Sequence, residues 1–165
     1  MAFEEFCIKF NDLLKDREKS PVFFQEGQTL LSGLMADTGW FTDYLQKLMM
    51  DTSFRDHQKP SRWVNEYMIY RNPDRSFVIL AYIWEPEQAD VIHDHNSWGI
   101  VGILSGKTTE RKYRRTDNGT RDGYAELEET ASRIMNPCDT TVILPLDRGI
   151  HQMENFENYT VSIHV

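Results

Sequence analysis

Two of the five histidines stand two residues apart, in His93-Asp94-His95. On an extended backbone successive side chains alternate, so these two imidazoles share a face and form half of a metal site. A third candidate, His151, lies far downstream in Pro145-Leu-Asp-Arg-Gly-Ile-His151-Gln-Met-Glu-Asn155. If the fold brings it to the first two, the result is a three-histidine centre without an acidic ligand. Three neutral imidazoles leave a divalent ion its full charge. That favours an anionic ligand such as a thiolate and keeps positions open for O2, and iron is the first metal to consider.

The elements that must position these side chains follow from periodicity. Phe3, Phe6, Cys7, Phe10, Leu13 and Leu14 recur at three- and four-residue spacing, the apolar stripe of a helix with Cys7 as a buried filler. Ser20-Pro21 reads as an N-cap and first helical position, opening a helix to about Ala36. Trp40, Phe41, Tyr44, Leu45, Leu48 and Met49 mark a third helix. From about Arg62 the pattern turns to strands: 62–70, 76–84, 91–95, 98–104, 107–115, 125–135, 140–144, 151–154 and 159–165. The turn signals between them include Asn72-Pro73-Asp74, Asp117-Asn118-Gly119 and Asn136-Pro137. Gly99, Gly102 and Gly106 permit a tight corner and close backbone approach. Residues 1–165 are expected to form one domain, with 1–60 helical and packed outside an antiparallel barrel of 61–165.

Bulk properties narrow the partners. A chain of 165 residues, 40% apolar and 12% aromatic, suits a single core. A net charge of −8 disfavours nucleic acid and anionic membrane. The one basic run, Arg111-Lys112-Tyr113-Arg114-Arg115, reads as the exposed end of a hairpin. No apolar stretch reaches 18 residues and no signal peptide is evident. Two unpaired cysteines, Cys7 and Cys138, fit a reducing cytoplasm. A monomer or weak homo-oligomer is expected.

The run His93-x-His95, Gly106, Pro145, Gly149, His151 and Asn155 resembles the two cupin motifs. It departs from them at Gly99, where the usual motif has a Glu, and at Asp139, where the second motif opens with Gly. With Gly in place of Glu, His93-Asp-His95-x-x-Trp98-Gly99-x-x-Gly102-x-x-x-Gly106 resembles the cysteine dioxygenase family of thiol dioxygenases, its bacterial members in particular. The similarity runs from about Tyr67 to Val165, and Trp84, nine residues before His93, matches a family Trp. The resemblance implies a cupin double-stranded β-helix, a jelly-roll barrel with N-terminal helices outside. It implies Fe(II) on His93, His95 and His151, and addition of both atoms of O2 to a small-molecule thiol to give a sulfinic acid.

It also implies supporting residues. Ser162-Ile-His164-Val165 matches the start of the family's Ser-x-His-x-Tyr, in which Ser162 and His164 would orient a proton donor; the Tyr would fall at 166, beyond the last residue given. In the mammalian enzymes a Cys at the position of Gly99 cross-links to that Tyr, which Gly99 cannot do. Alignment on the turn after Tyr70 puts Glu66 where the family has an Arg for the substrate carboxylate. A shift of one hairpin would put Arg71 there, and Arg62 and Arg75 are further candidates. A thiol carrying an amine, or lacking a carboxylate, suits Glu66 better. Trp98 and Trp84 are candidates to wall the pocket, Met153 should face the interior, and His57 reads as part of a solvated loop. The alternatives are a cupin enzyme of another class, an isomerase or non-thiol oxygenase, and a metal-dependent binding module without turnover.

Overall fold

The computed structural model describes residues 1–16, 19–56, 65–156 and 158–165. Four helices come first: α1 (Phe3–Asp16), α2 (Pro21–Met35), α3 (Gly39–Met50) and the short α4 (Thr52–Asp56). α2 starts where the capping signal places it. The Ser20 hydroxyl accepts a hydrogen bond from the Phe23 amide at 3.2 Å, and Pro21 fills the first position. α4 also falls within the stretch 1–60 expected to be helical, though the periodicity marks no separate helix there. Arg62 and His57 lie outside the described residues.

Eight strands follow: β1 (Asn65–Arg71), β2 (Val78–Trp84), β3 (Gly99–Ser105), β4 (Thr108–Arg115), β5 (Leu127–Met135), β6 (Thr140–Ile143), β7 (His151–Asn155) and β8 (Thr160–His164). They form a five-stranded sheet, β1-β2-β8-β3-β6, and a three-stranded sheet, β5-β4-β7, with every pairing antiparallel. Ala89 and His93 bridge to Glu154 and His151, adding a loose fourth member beside β7. The pairs nest. β2 with β8 is outermost on one wall, the 89–93 segment with β7 comes next on the other, then β3 with β6, then β4 with β5. This alternation is a jelly roll, the double-stranded β-helix expected from the sequence.

The five-stranded sheet is covered on both faces, which explains why β3 is buried through almost its whole length. Its outer face carries Ile79, Ala81, Ile100, Leu104 and Ile163 against Phe6, Phe10, Leu31, Leu34 and Met35 of the helices. Its inner face carries Trp84, Val101, Ile103 and Ile143 against Met135 and Met153 of the three-stranded sheet. Burying each such side chain stabilises the fold by roughly 1.5–3 kcal/mol.

Two glycines set the approach of these layers. A Cβ on Gly102 would lie 2.3 Å from Met35 Cε, so its absence lets α2 rest on β3. Gly106 turns β3 into β4 with φ +76°, and a Cβ there would lie 2.8 Å from Thr160 Cα. Gly99 is under no such constraint, since its Cβ would meet only Val165 O at 3.7 Å.

The stretch 91–95 is not the strand that its sequence suggests. It makes a single bridge, at His93, before bending at Asn96 and Ser97. Val91 and Ile92, apolar and strand-like in type, are exposed. In the basic run, Arg111 pairs with Glu154, Arg114 with Glu128 and Arg115 with Asp117, while Lys112 lies 3.7 Å from Glu110. These positive charges are matched within the sheet. No described helix is long and apolar enough to cross a membrane.

Gly106→Ala should destabilise the protein by about 2–4 kcal/mol, combining left-handed backbone strain with a backbone contact that cannot relax. Urea unfolding followed by circular dichroism measures this; a loss below ~0.5 kcal/mol would mean the corner is free to reshape.

Candidate metal centre

β7 and the segment 87–95 are tied together by main-chain bonds in both directions. The His93 amide donates to His151 O at 3.0 Å, and the His151 amide donates to His93 O at 2.9 Å. Asp90 extends the seam: its amide donates to Met153 O, and its carboxylate accepts the Met153 amide at 2.8 Å. His95 is held by its own carbonyl, which accepts the Leu146 amide at 2.8 Å. The intervening Asp94 points to solvent while His93 and His95 are half-buried. The period-two argument therefore holds without a regular strand.

The result is a cluster of three imidazoles whose candidate ligand atoms all lie within 4.8 Å of one another. His95 Nε2 is 3.1 Å from His93 Nε2 and 3.1 Å from His151 Nε2. His93 Nδ1 lies 2.8 Å from Val91 O, which can only accept, so Nδ1 carries the hydrogen and Nε2 of the neutral ring presents a lone pair. A ring nitrogen offers either one hydrogen or one lone pair. His95 Nε2 therefore cannot satisfy both neighbours, and one contact is left repulsive. A cation at the centre removes the conflict. Metal–imidazole bonds of about 2.1 Å at right angles put the nitrogens about 3.0 Å apart, close to what is observed. The donor set fits a divalent ion such as Fe(II), and among the described residues no carboxylate joins it.

Burial favours the neutral ring at two of these histidines. Burial, then the neighbouring His151 and His93, pull His95 down to about 4. Burial, then the other three histidines, pull His164 down to about 3. Behind His151 sits Glu110 on β4, 1% exposed, with Oε1 3.7 Å from His151 Nδ1. Burial pushes the Glu110 carboxyl up, but His151, Lys112, Thr141 and Arg133 together hold it below its ordinary value.

A polar chain runs along the facing wall. Trp84 Nε1 donates to Ser162 Oγ at 2.9 Å, and Ser162 Oγ lies 2.9 Å from His164 Nε2. Ser162 Oγ thus joins the Trp84 indole to the His164 ring. The His164 ring lies against Tyr82, centroids 4.3 Å apart. Tyr82 in turn donates its hydroxyl to Glu66 Oε2 at 2.5 Å, directly opposite it in the β1–β2 register.

No family model matches the chain. Its backbone is similar to the Drosophila melanogaster CENP-C cupin domain, at 11% identity over 66% of this chain and 72% of that one, TM-score 0.47. It is also similar to a cupin 2 conserved barrel domain protein from Salinispora arenicola CNS-205, at 15% identity over 67% and 81%, TM-score 0.45. A third likeness is to the capsular polysaccharide assembling protein CapF from Staphylococcus aureus, at 18% identity over 65% and 27%, TM-score 0.46. The jelly roll is established by the strand pairing itself.

The structure separates the remaining candidates. Glu66, Ser162 and His164 share the interior wall. Trp98 does not: it packs edge-on against Phe23 and Phe24 of α2, at 5.2 and 5.9 Å, with Lys19 over its ring. It shares the outward parity of Ile100 and Leu104, so it belongs to the helix interface and does not wall a pocket. Arg71 is exposed at the hairpin end of β1, opposite Val78, and Arg75 lies in the turn beyond; neither is beside the histidines. Trp84 is a core residue, 2% exposed, that also anchors Ser162. Met153 faces the interior as expected.

Sequence reasoning missed Glu110, Asp90 and Tyr82. The alternation of β4, with Thr108, Glu110 and Lys112 on one face, was the available signal for Glu110. The surrounding cations masked it.

Two outcomes follow. His151→Ala should weaken divalent-metal binding by at least ~100-fold while leaving the circular dichroism spectrum unchanged, since a lost ligand costs no less than a lost supporting contact. Titration with a chelator competitor reads it; unchanged affinity would remove His151 from the centre. In metal-free protein, stability should be greatest above about pH 6.5 and fall as pH drops toward 4. The unfolded chain takes up protons on His95 and His164 there, while the folded state refuses them. His164→Gln should flatten this slope by about one proton, as read from urea unfolding between pH 7.5 and 5; an unaltered slope would place the acid sensitivity elsewhere.

Proposed function

We propose that the protein is a non-haem iron thiol dioxygenase that converts a small thiol and O2 to the sulfinic acid, and that it favours a thiol bearing an ammonium group. The observation that carries this reading is the convergence of three imidazole nitrogens with no acidic ligand among them. The resemblance of His93 through Gly106 to thiol dioxygenases agrees with it. Fe(II) held by His93, His95 and His151 would supply adjacent open positions for thiolate and O2 and a redox-active ion through which the four electrons lost by sulfur reach O2. The overall change balances as one thiol plus one O2 giving one sulfinic acid.

The chain's own residues prepare this chemistry. With imidazole donors and no carboxylate among them, His93, His95 and His151 would leave a bound ion's positive charge undiminished, which lowers the pKa of an approaching thiol. Ser162 and Trp84 lock the His164 ring in one orientation, and His164 holds the Tyr82 ring beside it. Burial, then Glu66, keeps the Tyr82 hydroxyl protonated far above its ordinary range, so it remains a donor. Glu66 accepts that hydroxyl through one oxygen, and its other oxygen is assigned to the substrate's cation. A substrate carboxylate in that place would meet repulsion. Arg71 and Trp98 are given no part in binding.

Oxygen uptake by the iron-loaded protein should be rapid with cysteamine and at least ~10-fold slower with 3-mercaptopropionate, a difference of about 1.4 kcal/mol. Glu66→Gln should erase most of that ratio by raising KM for cysteamine. Absence of oxygen uptake with cysteamine, cysteine and 3-mercaptopropionate alike would overturn the dioxygenase reading. Uptake with the ratio unchanged in the variant would overturn only the assignment of Glu66.

A further inference from the structure

Among the described residues Glu110 is the only fully buried acid, and the proposed reaction gives it no direct task. A carboxylate in a barrel interior is costly unless something holds it. Here Thr141 Oγ1 donates to Oε1 at 3.0 Å, Arg133 Nε lies 3.3 Å from Oε2, and Lys112 Nζ lies 3.7 Å from Oε1. The fourth neighbour is His151, whose Nδ1 is buried with no hydrogen-bond partner. The gap from Nδ1 to Glu110 Oε1 is 3.7 Å, and a small rotation of the ring closes it.

We infer that Glu110 is a positioning residue for the metal centre, accepting the Nδ1 hydrogen of His151 so that Nε2 presents its lone pair toward His93 and His95. His93 solves the same problem with a neutral acceptor, Val91 O. Glu110 differs because it is charged. A carboxylate behind an imidazole draws the ring proton toward itself and makes the opposite nitrogen a stronger ligand. The centre then gains part of the benefit of an acidic ligand without spending a coordination position on one. The clamp by Thr141 and Arg133 also keeps Glu110 from swinging round to bind the ion directly.

This inference rests on the three-histidine centre and is independent of which reaction that centre performs. The test compares wild type, Glu110→Gln and Thr141→Val. Glu110→Gln should weaken Zn(II) and Fe(II) binding about 10–100-fold against a competing chelator. It should also raise the midpoint potential of the bound iron, because the negative charge that favours the ferric state is gone. Thr141→Val, which removes a bond to Glu110 without touching His151, should cost stability but change both readings far less. Nitrogen-15 spectra of the Zn(II)-loaded wild type should show His151 protonated at Nδ1. Equal metal affinity and potential in wild type and Glu110→Gln would overturn the inference, as would a His151 Nδ1 without a hydrogen, which decides the matter even if the variant fails to fold. Failure of the wild type to bind either metal would overturn the centre and this inference together.

Discussion

The site depends on two opposed main-chain hydrogen bonds between His93 and His151. They join a loop that is barely a strand to the edge of the three-stranded sheet, and they set the distance between two imidazoles that lie 58 positions apart in the chain. Neighbouring polar contacts extend this seam. Asp90 caps the next pair, Gln88 O receives the Asn155 amide, and Leu146 pins His95 from the far side. The side chains can meet at 3.1 Å because the backbone around them cannot spread.

That rigidity has its origin in the sheet with two covered faces. The outer face of β1-β2-β8-β3-β6 is occupied by aromatic and aliphatic side chains of α1 to α3, leaving the inner face to present a mixture of apolar filler and polar groups. Polar residues there are affordable only if they bond to each other, and they do, from Trp84 through Ser162 to His164 and from Tyr82 to Glu66. The helices thus act on the site without touching it. They bury the back of β3 and β8, which holds that wall in place.

Much of this was legible in residue order. The three-and-four spacing from Phe3 to Leu14, the Ser20-Pro21 cap and the alternating strands located almost every element, because each pattern reports local backbone geometry. The histidine cluster was legible because histidine is scarce here and its spacing matched an extended backbone. Failures came where a tertiary choice overrode a local one. Val91 and Ile92 look like strand residues but face solvent on a segment with one bridge. Trp98 follows the histidines closely in sequence, yet the bend at Asn96-Ser97 and the parity of β3 send it to the helices. Glu110 looks like one acid in a basic surface strand. Only the pairing of Lys112 with His151 shows that its side of β4 faces inward.

The two interior acids, Glu66 and Glu110, are most informative when compared. Neither belongs to the ligand cluster, and each is held by neighbours that restrict its motion: Tyr82 for Glu66, Thr141 and Arg133 for Glu110. Their surroundings differ in sign. Glu110 has Arg133 and Lys112 beside it, so its charge is largely answered within the wall, and what remains acts through the His151 ring. Among the described residues Glu66 accepts from a neutral phenol, the Tyr82 hydroxyl. The same functional group thus stands in two different electrostatic settings within one fold. The difference lies in what the register of β4 and of the β1–β2 hairpin places next to each carboxylate.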